Sequence, residues 1–180
     1  MDASSAFQDS LPTSSDAFLA QLDDWGIDYT LHTHVPLRTV EESKEVQADM
    51  DPAGVRVFHT KNFYLRDRKK RNYLVTLEQD RAVDLAALGG AMGAGKPSFG
   101  SADRLMEFLG VRPGAVSPLA MVNGVTTGVR FFLDPCVKQA ELVFVHPLVN
   151  DRTIALTPDA LLDVLARLGG EVEWLDLPEG

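Results

Sequence analysis

The sequence predicts a single compact domain of the α+β class, on three observations. Segments of period-2 apolar alternation and segments of helical spacing are interspersed without a regular strand–helix–strand repeat, which disfavours a doubly wound α/β sheet. The chain has 180 residues, a length natural for one domain and enough to bury about 70% of the unfolded surface without a disulfide or metal staple. It is 45% hydrophobic and 24% charged, an ordinary globular balance and too apolar for disorder. No internal repeat, low-complexity linker or domain break interrupts it. Residues 1–13, rich in Ser, Asp and Pro and lacking periodicity, are expected as a flexible N-terminal arm, and residues 14–180 as the domain.

The elements follow in order. Phe18, Leu19, Leu22 and Trp25 fall at helical spacing from Ser14, and Gly26 supplies a stop. Ile27 to Thr33 alternates as a half-buried strand. Thr39-Val40-Glu41-Glu42 matches a capping box, so a helix starts there. Val55 to Leu65 and Asn72 to Leu77 read as two strands joined by a turn at Arg68-Lys69-Lys70-Arg71, a β-hairpin with a basic tip. Asp84 to Leu88 is a short helix ending at Gly89-Gly90. Ser101 to Leu109 is another, with Leu105, Phe108 and Leu109 inward and Gly110 as its stop. The Gly110–Pro118 segment is a loop stiffened by Pro113 and Pro118. Val129 to Leu133, Leu142 to His146 and Thr153 to Leu156 are strands. Thr157-Pro158 caps a last helix through Leu168, with Pro at its first position. Val172 to Leu177 is an edge strand.

The charge is unevenly placed. The formal net charge is −9, which as a sum argues against nucleic acid. Residues 1–34 carry six Asp and no Lys or Arg, and residues 150–180 carry two basic and seven acidic residues. Residues 61–71 hold six basic residues and one acid, a local +5. Charges interact over about 8 Å at physiological salt, so a polyanion would feel the local patch more than the total. A solvated hairpin tip that only aids solubility explains the patch equally well. Cys136 is the single cysteine, which excludes an internal disulfide framework and a Cys-rich zinc site. No apolar run approaches a membrane span, and Met1-Asp2-Ala3-Ser4-Ser5 lacks the basic and apolar regions of a signal peptide. A soluble cytoplasmic protein is the expectation.

The chemistry-bearing motifs divide into weak and stronger ones. Gly90-Ala91-Met92-Gly93-Ala94-Gly95-Lys96-Pro97 has the core of a phosphate-binding loop, but Pro97 stands where Ser or Thr should hold magnesium, and no β-branched run precedes it. His32 and His34 lack a third ligand at metal-binding offset, so no metal is expected. Cys136 has no nucleophile signature, and Ser117 lacks the sharp elbow of a hydrolase serine. Any hydrolysis therefore needs a route without an enzyme nucleophile. Lys61 sits inside a strand run, with Val57, His59 and Phe63 on its face; it is either an edge-facing snorkeler or a functional cation that needs an anion. In the Gly110–Pro118 loop, Gly114 lets a ligand approach, and the amides of Gly114, Ala115 and Val116 could serve as an oxyanion hole. A tight connection between elements is the plainer reading of that loop.

Four segments in register carry a resemblance. They are Thr60-Lys61-Asn62-Phe63-Tyr64-Leu65, Lys96-Pro97-Ser98-Phe99-Gly100-Ser101 with the helix after it, Gly110-Val111-Arg112-Pro113-Gly114-Ala115-Val116-Ser117-Pro118, and Glu141-Leu142-Val143-Phe144-Val145-His146-Pro147-Leu148-Val149-Asn150. Together, from about Ser14 to Leu177, the chain resembles the YbaK/ProX family of aminoacyl-tRNA editing domains, and the last segment resembles the freestanding ProX type. The resemblance implies a mainly antiparallel, partly closed mixed sheet with flanking helices. It implies hydrolysis of alanine mischarged onto proline tRNA, without a cofactor, with the tRNA's own ribose hydroxyl assisting. It assigns catalytic roles to Lys61, at the phosphate or ribose of the terminal adenosine, to the Gly114 and Ala115 amides, at the ester carbonyl, and to His146, which lines the amino-acid pocket or positions a water. Asn62 would orient the substrate's α-amine or ribose. Thr60, Ser98, Val116 and Ser117 would bind substrate, and Arg66, Arg68, Lys69, Lys70 and Arg71 would dock tRNA phosphates. The implied partners are the acceptor end of a mischarged proline tRNA and prolyl-tRNA synthetase. Cysteinyl-tRNA(Pro) deacylation, or a non-catalytic RNA-binding or synthetase-associated module, are the rival readings. Docking at the hairpin further requires the tip and the Gly114 loop to border one cleft.

Overall fold

The computed structural model describes residues 2–37 and 40–177. The helix α1, Ser15–Asp24, is capped by Ser14, whose hydroxyl accepts the Ala17 amide at 3.1 Å, one of the donors a helix start leaves unmatched. The strand β1 is Thr30–Thr33, shorter than the alternation from Ile27 suggested. The helix α2, Val40–Met50, follows; its expected cap, Thr39, lies outside the described residues. Strands β2, Val57–Arg66, and β3, Asn72–Glu78, form the expected hairpin in antiparallel register, with Asn62 opposite Thr76 and Arg66 opposite Asn72.

The helix α3 is Leu85–Met92 and runs through Gly89-Gly90 rather than ending there. Gly89 is used for close approach: a Cβ there would stand 2.2 Å from the Gly95 carbonyl oxygen and 2.6 Å from Pro97 Cδ. The segment resembling a phosphate-binding loop is thus a helix end folded back on itself, without the strand–loop–helix setting that an anion cradle needs. A short strand β4, Ser98–Phe99, precedes α4, Ala102–Leu109, which Ser101 caps and Gly110 ends. A 3₁₀ turn at Pro118–Ala120 leads into the one-turn α5, Met121–Gly124; local spacing did not reveal either. Strands β5 (Arg130–Leu133), β6 (Leu142–Val145) and β7 (Arg152–Leu156), the helix α6 (Pro158–Arg167) capped by Thr157, and β8 (Val172–Trp174) complete the chain.

The strands join in the order β1-β7-β6-β2-β3-β5-β8, with β4 attached to β2. Pairs β2–β6, β3–β5 and β5–β8 are parallel, and the others are antiparallel. The two ends of this path do not meet, so the mixed sheet is open, not partly closed. Alternation along β3 shows why it is apolar on both faces. Leu74 joins one core with Phe18, Leu22, Leu109, Phe131 and Leu161, while Tyr73, Val75 and Leu77 join another with Leu88 and Met92 of α3.

The N-terminal segment is not the loose arm its composition suggested. Ser5–Ser10 forms a 3₁₀ turn, and Ala3 is buried. The Ser5 amide and hydroxyl both donate to the Asp151 carboxylate, at 2.8 and 2.6 Å, and the Asn150 amide donates to the Ala3 carbonyl. Polar side chains that looked unattached in sequence find their partners across the fold. Among the described residues, no helix is long and apolar enough to cross a membrane.

One topological detail positions the site. The parallel pairing of β2 with β6 ends at His59, and its pairing with β4 begins at Leu65. Among the described residues, 60–63 therefore have no strand neighbour on that edge, opposite β3, and the Tyr64 carbonyl accepts the Gly100 amide just past β4.

Candidate active site

Into this opening face Thr60 and Asn62 from β2, Gly114 and Val116 from the loop after α4, and His146 from the end of β6. Together they line a cleft of about 190 Å³. Five of the residues singled out in the sequence thus converge from three separate segments.

The hydrogen bonds define what each side chain offers. The Thr76 hydroxyl donates to Asn62 Oδ1 at 2.6 Å, and Asn62 Nδ2 donates to Thr60 Oγ1 at 3.3 Å. With its carbonyl engaged, the Asn62 amide presents a donor, suited to a carbonyl, phosphate or hydroxyl oxygen. The second lone pair of Oδ1 can accept from a substrate amine, so the side chain suits either expected partner, the α-amine or the ribose. Thr60 in turn donates to the Phe144 carbonyl at 3.1 Å.

His146 Nδ1 lies 2.8 Å from the Arg152 carbonyl. A carbonyl only accepts, so Nδ1 carries the proton in the neutral ring and Nε2 keeps a lone pair. Behind it, His34 contacts the Val35 carbonyl and the Thr153 hydroxyl, each at 2.8 Å. Burial pushes the His146 imidazole below its ordinary range, and the neighbouring His34 adds to the effect, against the pull of the Arg152 carbonyl. The unfolded chain therefore takes up this proton at a higher pH than the folded one. Stability should fall as pH drops below about 6.5, with this one group contributing at most about 1.4 kcal/mol per pH unit. Urea unfolding midpoints from pH 5 to 8 would show this slope in the wild type and a shallower one in His146→Gln; equal slopes would refute it.

Gly114 has φ +94°, a region other residues adopt only with strain. A side chain there would also meet Asn150 Nδ2 at 3.5 Å. Asn150 is buried, donates to the Leu37 carbonyl at 3.0 Å, and leaves its Oδ1 without a partner. It backs the Gly114 loop, a role the sequence gave no signal for.

Other expected site residues lie elsewhere. The Ala115 amide donates to the Arg112 carbonyl at 3.0 Å, closing a turn, so it is already committed and does not serve an oxyanion hole; Gly114 and Val116 are the loop residues that reach the cleft. Ser117 is fully buried and caps the Pro118–Ala120 turn by accepting the Leu119 amide. Ser98 sits in β4 opposite Arg66, away from the cleft. Lys61 alternates onto the strand face opposite Thr60 and Asn62, and its Nζ donates to the Arg81 carbonyl.

The basic tip opens on a different cavity, lined by Asp67, Arg68, Lys69, Arg71 and residues 93–96. It shares no lining residue with the cleft, so the single cleft expected to join the hairpin and the Gly114 loop is not formed. Lys70 occupies the turn at φ +65°. Arg71 is held by Asp67 at 2.7 Å and by the Gly93 carbonyl at 3.2 Å. Burial raises the Asp67 carboxyl, but its hydrogen bonds from Arg71 and Tyr73 and the Arg71 charge outweigh this and hold it below the usual range. Arg66 is half-buried, and its Nε has no hydrogen-bond partner.

A second, smaller pocket of about 50 Å³ adjoins the cleft, sharing Thr60 and His146 and adding Gln47, His59, Phe144 and Thr153. Hydroxyls border these spaces, Thr60 in both and Ser43 and Thr153 in the smaller one; Thr60 is engaged with the Phe144 carbonyl and Thr153 with His34. Burial, reinforced by the hydrogen bond to Asp134, pushes the Cys136 thiol up, away from a reactive thiolate.

The model of the aminoacyl-tRNA editing domain family matches residues 34–164. Over 162 residues the chain is 35% identical to the prolyl-tRNA editing protein ProX of Acetoanaerobium sticklandii, covering 89% of this chain and 96% of that one. It is 37% identical over 109 residues to the prolyl-tRNA synthetase associated domain-containing protein 1 of Mus musculus, covering 58% of this chain and 64% of the relative. A solved structure described as a candidate trans-editing enzyme for prolyl tRNA synthetase shares the fold, with a TM-score of 0.64 at 20% identity, covering 93% of this chain and 99% of that one. With a family match over most of its length and a relative aligned nearly end to end, the chain belongs to the aminoacyl-tRNA editing domain family.

Proposed function

We propose that the protein is a trans-editing hydrolase that removes alanine from mischarged alanyl-tRNA(Pro). The observation that carries this reading is a cleft where Thr60, Asn62, His146 and the Gly114–Val116 loop converge, opening beside a pocket of about 50 Å³. The need for such an enzyme is physical. A pocket built for proline cannot strongly reject the smaller alanine, because a methylene is worth only about 1–3 kcal/mol. A second site that admits the methyl and excludes the pyrrolidine ring restores fidelity. The small pocket has space for a few water-sized groups, which suits a methyl.

In this reading, Gly114 and Val116 offer backbone amides to the ester carbonyl and hold the oxyanion as it forms. The Asn62 amide donates to an oxygen of the ribose. A water, placed by the neighbouring ribose hydroxyl and by His146 Nε2, attacks the carbonyl carbon. The bond to the ribose oxygen then breaks, that oxygen takes the proton through the adjacent hydroxyl, and alanine and uncharged tRNA leave. Because the edge of β2 is open between its pairings with β6 and β4, the phosphate of the terminal adenosine passes round that edge to Lys61 on the other face and replaces the Arg81 carbonyl there, and the basic hairpin contacts RNA phosphates further along. Prolyl-tRNA synthetase is the associated partner, and the cytoplasm the site of action.

The test is a deacylation panel of alanyl, cysteinyl, seryl and prolyl esters on one proline tRNA. Alanine should be cleared fastest and proline spared. Faster clearance of cysteine would overturn the alanine assignment. Tight RNA binding without any deacylation would overturn catalysis in favour of a binding module.

A further inference from the structure

Three neighbouring strands set a row of hydrogen-bonding side chains behind the cleft. The antiparallel register that pairs Val145 with Ile154, carried one residue on, puts Thr153 of β7 opposite His146. On its other side Thr153 pairs with His32 of β1, and alternation along His32-Thr33-His34 brings His34 to the same face. His34 Nε2 lies 2.8 Å from Thr153 Oγ1, which in turn lies 3.4 Å from His146 Nδ1. The two imidazole centroids are 6.1 Å apart. Thr153 is buried, so its hydroxyl takes its partners from this row.

Two backbone carbonyls fix the protons along it. The Val35 carbonyl, 2.8 Å from His34 Nδ1, only accepts. The neutral His34 ring therefore carries its proton on Nδ1 and offers a lone pair at Nε2. Thr153 has one proton and gives it to that lone pair. Its oxygen then faces His146 Nδ1 as an acceptor, beside the Arg152 carbonyl at 2.8 Å. Both acceptors demand the same His146 tautomer, with the proton on Nδ1 and the lone pair on Nε2. A single acceptor lets a ring swing about the bond; a second one, on a strand, narrows the swing.

We infer that His34 and Thr153 are positioning residues for the hydrolysis: through His146 Nδ1 they aim the Nε2 lone pair, as an acceptor, at the O–H of the attacking water. The water and its reaction rest on the editing reading above; the order of the protons rests on the two carbonyls. Thr153 borders the smaller pocket, whereas His34 lines neither that pocket nor the cleft. His34 therefore acts only through Thr153, and its loss disturbs the row without removing a substrate contact.

The experiment has a kinetic and a spectroscopic arm. At a temperature where every variant is folded, His34→Leu and Thr153→Val should each lower kcat for alanyl-tRNA(Pro) about 10- to 100-fold, with KM little changed. The double variant should fall no further than the slower single one, since both break the same row. Thr153→Ser keeps the hydroxyl and should recover most of the rate that Thr153→Val loses. A His34→Leu variant with the wild-type kcat, a loss carried by KM, or equal losses in Thr153→Ser and Thr153→Val would overturn the inference. The spectroscopic arm needs no activity. Side-chain ¹⁵N shifts of the wild type at about pH 8, above the usual imidazole range, should show both His34 and His146 protonated on Nδ1. Either ring protonated on Nε2 instead would overturn the inference while leaving the editing reading untouched. If both rings are protonated on Nδ1 but the wild type clears no aminoacyl ester, the editing reading fails and the order of the protons stands.

Discussion

Lys61→Ala should lower the rate of alanyl-tRNA(Pro) deacylation by about 100-fold or more, the scale on which removal of one charge-stabilising donor acts, in a variant that stays folded at the assay temperature. Lys61 is half-buried in β2, where an ammonium is costly to desolvate without an anion. Among the described residues no carboxylate lies within ion-pair distance of it. Its hydrogen-bond partner is the neutral Arg81 carbonyl, though Asp80 feels its charge and is lowered chiefly by Lys44. A cation held by a neutral acceptor is poised to exchange that contact for a phosphate, which offers full negative charge at the same geometric cost. The single bond it would lose is worth about 1.5–3 kcal/mol, the range for a charged donor, too little to unfold the protein at the assay temperature, so a large fall in rate would report substrate contact and not damage to the fold. A variant that still cleared alanyl-tRNA(Pro) at full rate would remove Lys61 from the mechanism. Single-turnover measurement is the discriminating assay, since it isolates the chemical step from RNA release.

How far these features were legible in the sequence depended on how local their causes are. The β2–β3 hairpin and its basic tip follow from alternation and charge alone. The caps at Ser14, Ser101 and Thr157 follow from side chains that satisfy their own helix starts. The alternation that grouped Lys61 with His59 and Phe63 also separates Lys61 from Thr60 and Asn62, so its position on the far face was readable before any coordinates. The cleft was not. Its opening exists because β2 pairs with β6 on one side of residues 60–64 and with β4 on the other, and both are long-range pairings that no local pattern specifies. The same holds for α3: two consecutive glycines signal a stop, yet Gly89 is kept within the helix because the returning Gly95–Pro97 chain occupies the space of its missing side chain. The Ala115 amide shows the limit in reverse. A Pro-Gly-Ala run suggests free amides, but the turn uses one of them to close on Arg112.

Asp134→Ala should destabilise the protein by about 3–5 kcal/mol, the cost of removing one member of a buried ion pair, and lower the melting temperature by about 6–20 °C for a chain of this size. Asp134 is fully buried and holds Arg81 Nη1 at 3.0 and 3.2 Å. The same carboxylate accepts the Cys136 amide at 3.0 Å and the Glu78 amide at 3.3 Å, so it ties the end of β3 to the 3₁₀ turn Pro135–Gln139 that follows β5. Truncation to alanine leaves a guanidinium that is 13% exposed facing an apolar methyl, together with two amides without their acceptor. Asp134→Asn keeps the shape and one acceptor oxygen while deleting the charge, so it should cost less than the alanine variant. The pair also bears on the site. Arg81 supplies the carbonyl that holds Lys61, and its guanidinium reaches the Leu177 carbonyl at 3.3 Å. Loosening Asp134 therefore frees the segment that parks the lysine. At temperatures where Asp134→Asn remains folded, deacylation of alanyl-tRNA(Pro) should change while that of Gly90→Ala, altered on an open helix face, should not. Thermal melts of Asp134→Ala within 2 °C of the wild type would refute the buried-pair argument, and unaltered kinetics in Asp134→Asn would uncouple this network from Lys61.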